Sequence, residues 1–94
     1  MKKKDKDKNE DIRTEQFRKG TPLAPVIWER DEVREKWGKK KRSNKDWMSK
    51  LTRQLGRVAH EIEHKNGDKE NIEDQLILLA AISLVWIEQL RQPH

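Results

Sequence analysis

The stretch Leu76–Ile87, LILLAAISLVWI, decides the fold of this 94-residue chain. It contains no charged residue. At about 100° per residue its side chains point all round a helix axis, and a helix that is apolar on every face must be enclosed on every face. The stretch is shorter than the roughly 20 residues that cross a bilayer, so it argues against a membrane span. We therefore expect the central helix of an all-α protein.

A second long helix is predicted before this stretch, from about Asn44 to Lys65. Ser43 is its expected N-cap and Gly67 its expected C-cap. Its apolar residues recur at the i, i+3, i+4 spacing of an amphipathic helix: Trp47, Met48, Leu51, Leu55, Val58, Ala59 and Ile62.

The other two helices are predicted from residues that start or stop a helix. A short helix is expected over Val26–Trp37, after a linker at Thr21–Pro25 that contains two prolines. The third helix, which holds the apolar stretch, is expected to start near Asp68 or Asn71 and to end by Arg91.

Two helices cannot enclose a third that is apolar all round. We therefore expect a homo-oligomer, a dimer or larger, in which a helical hairpin assembles into a four-helix-type bundle. The alternative is a monomer whose core is richer than usual.

Composition divides the chain into two parts. Lys and Arg number 22 against 17 Asp and Glu, the net charge is +5, and 41% of residues are charged. Residues 1–22 hold so few large apolar side chains that we expect a disordered charged tail, leaving 23–94 as the helical domain.

The length excludes a large enzyme with a deep cleft. The absence of cysteine excludes a disulfide scaffold and, with no apparent secretory signal, predicts a cytoplasmic protein.

One face of the second helix is predicted to be mainly basic. Six residues lie within about a quarter-turn of one another: Asp46, Lys50, Arg53, Arg57, His60 and His64. Such a row repels a bare divalent cation and attracts phosphate. The candidate phosphate-binding residues are Lys50, Arg53, Arg57 and His60, with the basic loop Lys39–Arg42 extending the surface. The alternative interpretation is an ordinary solvated helix face.

The same helix contains a formal match to the zinc-peptidase motif H-E-x-x-H at His60–His64. The charge of Glu63 falls at a position that usually packs inward, no strand is predicted to support a substrate, and the chain is very short. A small zinc peptidase is therefore kept only as an unlikely alternative.

Several segments together resemble a known enzyme family. They are Glu29–Gly38, Trp47–Leu51, Leu55–Ala59, Asn66–Ile72, Leu79–Ile82 and Trp86–Glu88. Their order and spacing look like the MazG-like all-α nucleoside triphosphate pyrophosphohydrolases, particularly the short forms common in phages and mobile elements. The resemblance covers Glu29 to Leu90.

The resemblance implies a helical oligomer that hydrolyses NTP to NMP and pyrophosphate with Mg²⁺ held by carboxylates from two helices. The family's Glu-Glu-x-x-Glu pattern falls here on Arg53, Gln54 and Arg57. The second metal-binding element falls at or near Gln75 and Leu78, where Asp74, or Glu73 by a one-residue shift, is the remaining carboxylate. The resemblance therefore implies the fold and argues against the activity.

The sequence leaves four functions open. The first is a catalytically inactive relative that needs no cofactor and binds a protein, a phosphate ligand or nucleic acid. The second is an active Mg²⁺-dependent pyrophosphohydrolase with a rearranged site, drawn from Glu61, Glu63, Glu73 and Asp74. The third is the zinc peptidase, and the fourth is a purely structural oligomer.

The tryptophans are relevant to the hypothesis of nucleic-acid binding, because bases stack on exposed aromatic side chains. Trp37, Trp47 and Trp86 are expected to pack in the core, which leaves only Trp28 for base stacking.

Overall fold

The computed structural model describes residues 21–64 and 67–93, and over these ranges it is all-helical. Three helices follow in chain order: α1 (Leu23–Lys36), α2 (Asn44–His64) and α3 (Lys69–Arg91). The described ranges contain no strand, so the all-α prediction is confirmed. Except for its last two residues, the predicted tail at 1–22 lies outside the described residues.

The first helix starts three residues earlier than the sequence predicts. The expected linker at Thr21–Pro25 is wrong in its second half, because α1 begins at Leu23 and includes Pro25 in its first turn. A proline is tolerated there because the N–H groups of the first turn have no intrahelical acceptor. The regular pattern begins at once, with the Val26 amide donating to the Pro22 carbonyl at 3.1 Å.

The predicted ends of the two long helices are close to those observed. Ser43 caps α2, because its Oγ accepts from the backbone N–H of Asp46 at 3.1 Å. Beyond the far end of α2, Gly67 has a φ of +28° and its N–H donates to the Glu61 carbonyl at 3.0 Å. This left-handed conformation favours glycine, as expected of a residue that closes a helix.

The core lies where α1 and α2 each pack against α3. Trp47 is fully buried, as are Ile82 and Val85, and Trp37 meets Trp47 edge-to-face with ring centroids 4.6 Å apart. Trp37 and Trp86 pack against this cluster, whereas Trp28 is 45% exposed. The predicted roles of the tryptophans in packing are therefore confirmed.

The buried amide of Gln89 fixes the basic loop to α3. Its Nε2 donates to the carbonyls of Gly38 and Lys40, both at 3.0 Å. Its Oε1 accepts from the backbone N–H of Arg42 at 3.1 Å and from the indole of Trp47 at 2.9 Å. One side chain thus ties the loop and α2 to the C-terminal part of α3.

The outward side of α3 stays uncovered in the single chain. Leu76 is 46% exposed, Ile87 43% and Leu90 61%. The predicted inward stripe of α2 is wrong for four residues, because Met48, Leu55, Ala59 and Ile62 are also exposed. Trp47, Leu51 and Val58 make the core-facing edge of that helix instead. The predicted oligomer, which would cover these side chains, stays a prediction.

None of the described helices combines the length and apolarity that crossing a membrane requires.

Candidate functional site

A cleft opens between α1 and α2, with α3 as its floor. Its volume is about 260 Å³. It is lined by Glu32, Val33, Lys36, Trp37, Lys50, Arg53, Gln54, Arg57, Leu78 and Ile82. The rim is therefore charged, while Val33, Leu78 and Ile82 make an apolar base.

Positive charge dominates this cleft. Its lining includes two lysines and two arginines against one carboxylate, that of Glu32. None of the four cations forms an ion pair with another residue in the described ranges. The basic residues on the other side of α1 differ, since Arg34 pairs with Glu88 at 2.9 Å and Arg30 does so at 3.5 Å.

Lys50 shows the electrostatic cost of this arrangement. Desolvation lowers the pKa of its ammonium group, and the charges of Arg53, Arg57 and Arg42 lower it further. Its Nζ lies 4.7 Å from the centroid of the Trp37 ring, a cation–π distance that partly offsets the repulsion. A bound anion would favour the charged form of this lysine more strongly than the ring does.

Arg42 shares the same aromatic ring. Its guanidinium carbon lies 3.8 Å from the Trp37 centroid, and its Nε donates to the Trp37 carbonyl at 2.7 Å. Arg42 therefore extends the basic surface of α2 into the loop, as predicted. Its charge is close enough to lower the pKa of Lys50.

A pair of amides connects α2 and α3 beside the arginines. Gln54 is only 3% exposed, and its Nε2 donates to both the backbone and the side-chain oxygen of Gln75, at 2.9 and 2.7 Å. Two positions that the resemblance assigns to metal binding, one on each helix, are thus in contact. Both are neutral amides here.

The structure brings together three of the four predicted phosphate-binding residues. Lys50, Arg53 and Arg57 line the cleft, whereas His60 does not. His60 borders a shallower neighbouring depression of about 450 Å³, which it shares with both arginines. Asp74 is exposed and lines neither cavity.

The histidines of the H-E-x-x-H match lie on the exposed last turns of α2. The ring centroids of His60 and His64 are 4.8 Å apart. Within residues 21–64 and 67–93, no three His, Asp or Glu side chains are grouped closely enough to hold a metal ion. Glu61, Glu63, Glu73 and Asp74, from which the sequence drew a rearranged Mg²⁺ site, are among these side chains.

The contribution of α1 to the cleft was missed by sequence reasoning. Lys36 and Trp37 line it, but a helix-face analysis of α2 alone could not place a second helix opposite. The central role of Gln89 was missed too. A signal for it exists, because Gln89 follows Ile82 and Val85 at the spacing of the core-facing stripe of α3.

Comparison with known proteins finds no match, whether among family models, curated proteins or solved structures.

Proposed function

We propose that this chain is a non-catalytic binding protein that holds a phosphate-bearing anion in the cleft between α1 and α2. One observation carries the proposal: four cations converge on the cleft without ion-pair partners among the described residues. Cations held close together repel one another, and an anion with several oxygens relieves that repulsion.

The side chains suit phosphate in both geometry and chemistry. Arg53 and Arg57 are one helical turn apart, so their guanidinium groups can approach one ligand from the same side, each with two parallel N–H donors. Lys50 adds a point charge. The apolar base at Leu78 and Ile82 holds water away, which strengthens these contacts and leaves room for a non-polar part of the ligand.

We further propose that the chain is a degenerate relative of the MazG-like pyrophosphohydrolases. The contact between Gln54 and Gln75 supports this, because the family places metal-binding groups on two facing helices. Mg²⁺ needs hard, preferably anionic oxygen ligands, and guanidinium groups at Arg53 and Arg57 supply none. The proposed chemistry is therefore direct contact with phosphate, without a metal cofactor.

The proposed binding protein is a homo-oligomer, as the apolar stretch predicts. Around α2, Met48, Leu55 and Ile62 lie roughly opposite to Arg53 and Arg57. Association through those apolar side chains would leave the cleft open to its ligand.

Calorimetric titration with inorganic pyrophosphate at low salt tests the function. The informative variant is R53Q/R57Q, and the matched control is K45Q/K69Q, which removes the same charge at exposed lysines outside the cleft. We expect R53Q/R57Q to weaken binding at least about tenfold, as loss of two charge-assisted contacts implies, and the control to stay within about twofold. Equal losses in both variants, or no binding by the native chain, would contradict a specific cleft.

Nucleic acid is the competing partner, and salt dependence separates it from a small anion. A gel shift with single-stranded DNA that is lost equally in both double variants would indicate a diffuse basic surface. Pyrophosphate that displaces such DNA only from chains with an intact cleft would support the discrete site.

A further inference from the structure

The outward face of α3 carries a regular apolar pattern that nothing in the chain covers. Leu76, Ala80, Ile87 and Leu90 are exposed, with Ser83 between them. Their spacing alternates between four and three residues, which is the pattern of a helix that packs along another helix. The face therefore has the form of an interface.

The exposed stripe of α2 continues this face. Met48, Leu55 and Ile62 are seven residues apart, so they lie above one another on one side of α2. The side chain of Asn44, one turn before Met48, accepts from the indole of Trp86, the neighbour of Ile87 on α3. This contact places both stripes on the side of the hairpin that faces away from the cleft.

We propose that the occupant of this face is a second copy of the chain, with α3 packed antiparallel against its equivalent. The spacing of the exposed residues is nearly the same in both directions along α3 from the point midway between Ala80 and Ser83. Reversing the direction of one copy sets Leu76 opposite Ile87 and Ala80 opposite Ser83. Two small residues then meet at the centre, where the axes approach most closely, and larger ones pack on either side.

The charges at the edge of the face select the antiparallel arrangement. Glu73 and Arg91 are about five helical turns apart, so both lie on the same side of α3, near its two ends. Both are exposed, and neither pairs with another described residue. An antiparallel copy sets Glu73 of each chain beside Arg91 of the other, because the same flank of both helices then meets at the interface. In a parallel two-fold pair the flank that carries both residues lies on opposite sides of the pair, so Glu73 and Arg91 of the two chains do not meet.

The size of the face suits a dimer. Two helices at a spacing of about 10 Å, over a length of about 27 Å, present on the order of 500 Å² in projection. Stable interfaces bury roughly 800 Å² of corrugated accessible surface per partner, which is the same scale.

Analytical ultracentrifugation of the full chain over a concentration series tests this dimer. We expect the native chain to dimerise, Glu73→Arg and Arg91→Glu each to raise the dissociation constant by about tenfold, and the double variant to restore it. Glu70→Arg, a charge reversal on the same helix but turned away from the face, should leave it unchanged. Helix content by circular dichroism shows that each variant folds.

Three outcomes would overturn the proposal. They are a native chain that stays monomeric at 100 μM or above, single reversals with no effect, and a double variant that dissociates as readily as the single ones. A monomer that instead binds vesicles of anionic lipid through Leu76 and Leu90, and loses that binding on their change to Asp, would assign the face to a different occupant.

Discussion

The indole nitrogen of Trp47 donates to the side-chain oxygen of Gln89 at 2.9 Å, and this contact joins the most deeply buried residue of α2 to the last turns of α3. The same amide also holds the loop that carries Arg42. Removal of one side chain therefore disturbs both the core and the edge of the cleft.

Gln89→Ala is expected to lower the free energy of unfolding by about 2–4 kcal/mol, because it leaves the buried Trp47 N–H and the Gly38 and Lys40 carbonyls without their partner. Urea denaturation followed by tryptophan fluorescence measures the loss. Gln92→Ala, at an exposed position, is the control and should change stability by less than about 0.5 kcal/mol. A loss below about 1 kcal/mol in Gln89→Ala would show that water can replace the network.

Two glycines should respond to alanine in opposite directions. A Cβ at Gly38 would lie 2.9 Å from Val85 Cγ1 and 3.0 Å from the Arg34 Cα, so Gly38→Ala should cost about 1–3 kcal/mol. A Cβ at Gly56, inside α2, meets nothing within 4 Å, so Gly56→Ala should add about 0.5–1 kcal/mol. Thermal melts of both variants give the signs, and a shift in the same direction for both would refute this description of the α1–α3 packing.

The affinity for pyrophosphate should fall at alkaline pH, starting below the ordinary lysine value of 10.5. Lys50 must be protonated to attract the anion, and its pKa in the free protein is lowered by burial and by the neighbouring arginines. Affinity is therefore complete below that lowered pKa and declines as the pH rises through it. Titrations between pH 7 and 10.5 should show this decline as a falling ratio of the affinity of the native chain to that of Lys50→Met, a comparison in which any titration of pyrophosphate itself cancels.

The same lowered pKa makes a separate prediction about folding. Between the lowered value and 10.5, the unfolded chain keeps a proton on Lys50 that the folded chain has released. The contribution of Lys50 to stability therefore increases as the pH rises through this window. The unfolding free energy of the native chain should therefore rise relative to that of Lys50→Met as the pH increases through this window. A difference independent of pH would refute the repulsion between Lys50 and the neighbouring arginines.

Gln54→Glu tests the amide pair between α2 and α3. The substitution replaces a donor with a carboxylate oxygen that faces the two Gln75 oxygens, so we expect a loss of about 2–4 kcal/mol at pH 7. The loss should shrink as the pH falls towards 4, because a protonated glutamate donates again. Denaturation at both pH values, with Gln92→Glu as the exposed control, measures it. A variant as stable as the native chain at pH 7 would contradict the expected loss and would show that the cleft cations Arg53 and Arg57 compensate for the carboxylate.

Sequence periodicity predicted the two long helices well and the site only in part. The ends of α2 and α3 were found because Ser43, Gly67 and Pro93, two residues beyond Arg91, constrain the backbone locally. The apolar residues of α2 form a stripe wider than one contact, and periodicity could not tell which edge packs inward. The structure places Gln54 inside and Leu55 outside.

The cleft shows a second limit of sequence reasoning. Lys50, Arg53 and Arg57 were found because they share a face of one helix. Glu32 and Lys36 were not, since only tertiary packing brings α1 opposite that face.

The cleft and the apolar stripes lie on opposite sides of the helical hairpin, and this has a consequence for valency. A two-fold pair joined through the stripes would carry its two anion sites on opposite outer surfaces, pointing away from each other. Such a pair would hold two separate phosphate-bearing ligands at once, whereas a single protomer would hold one.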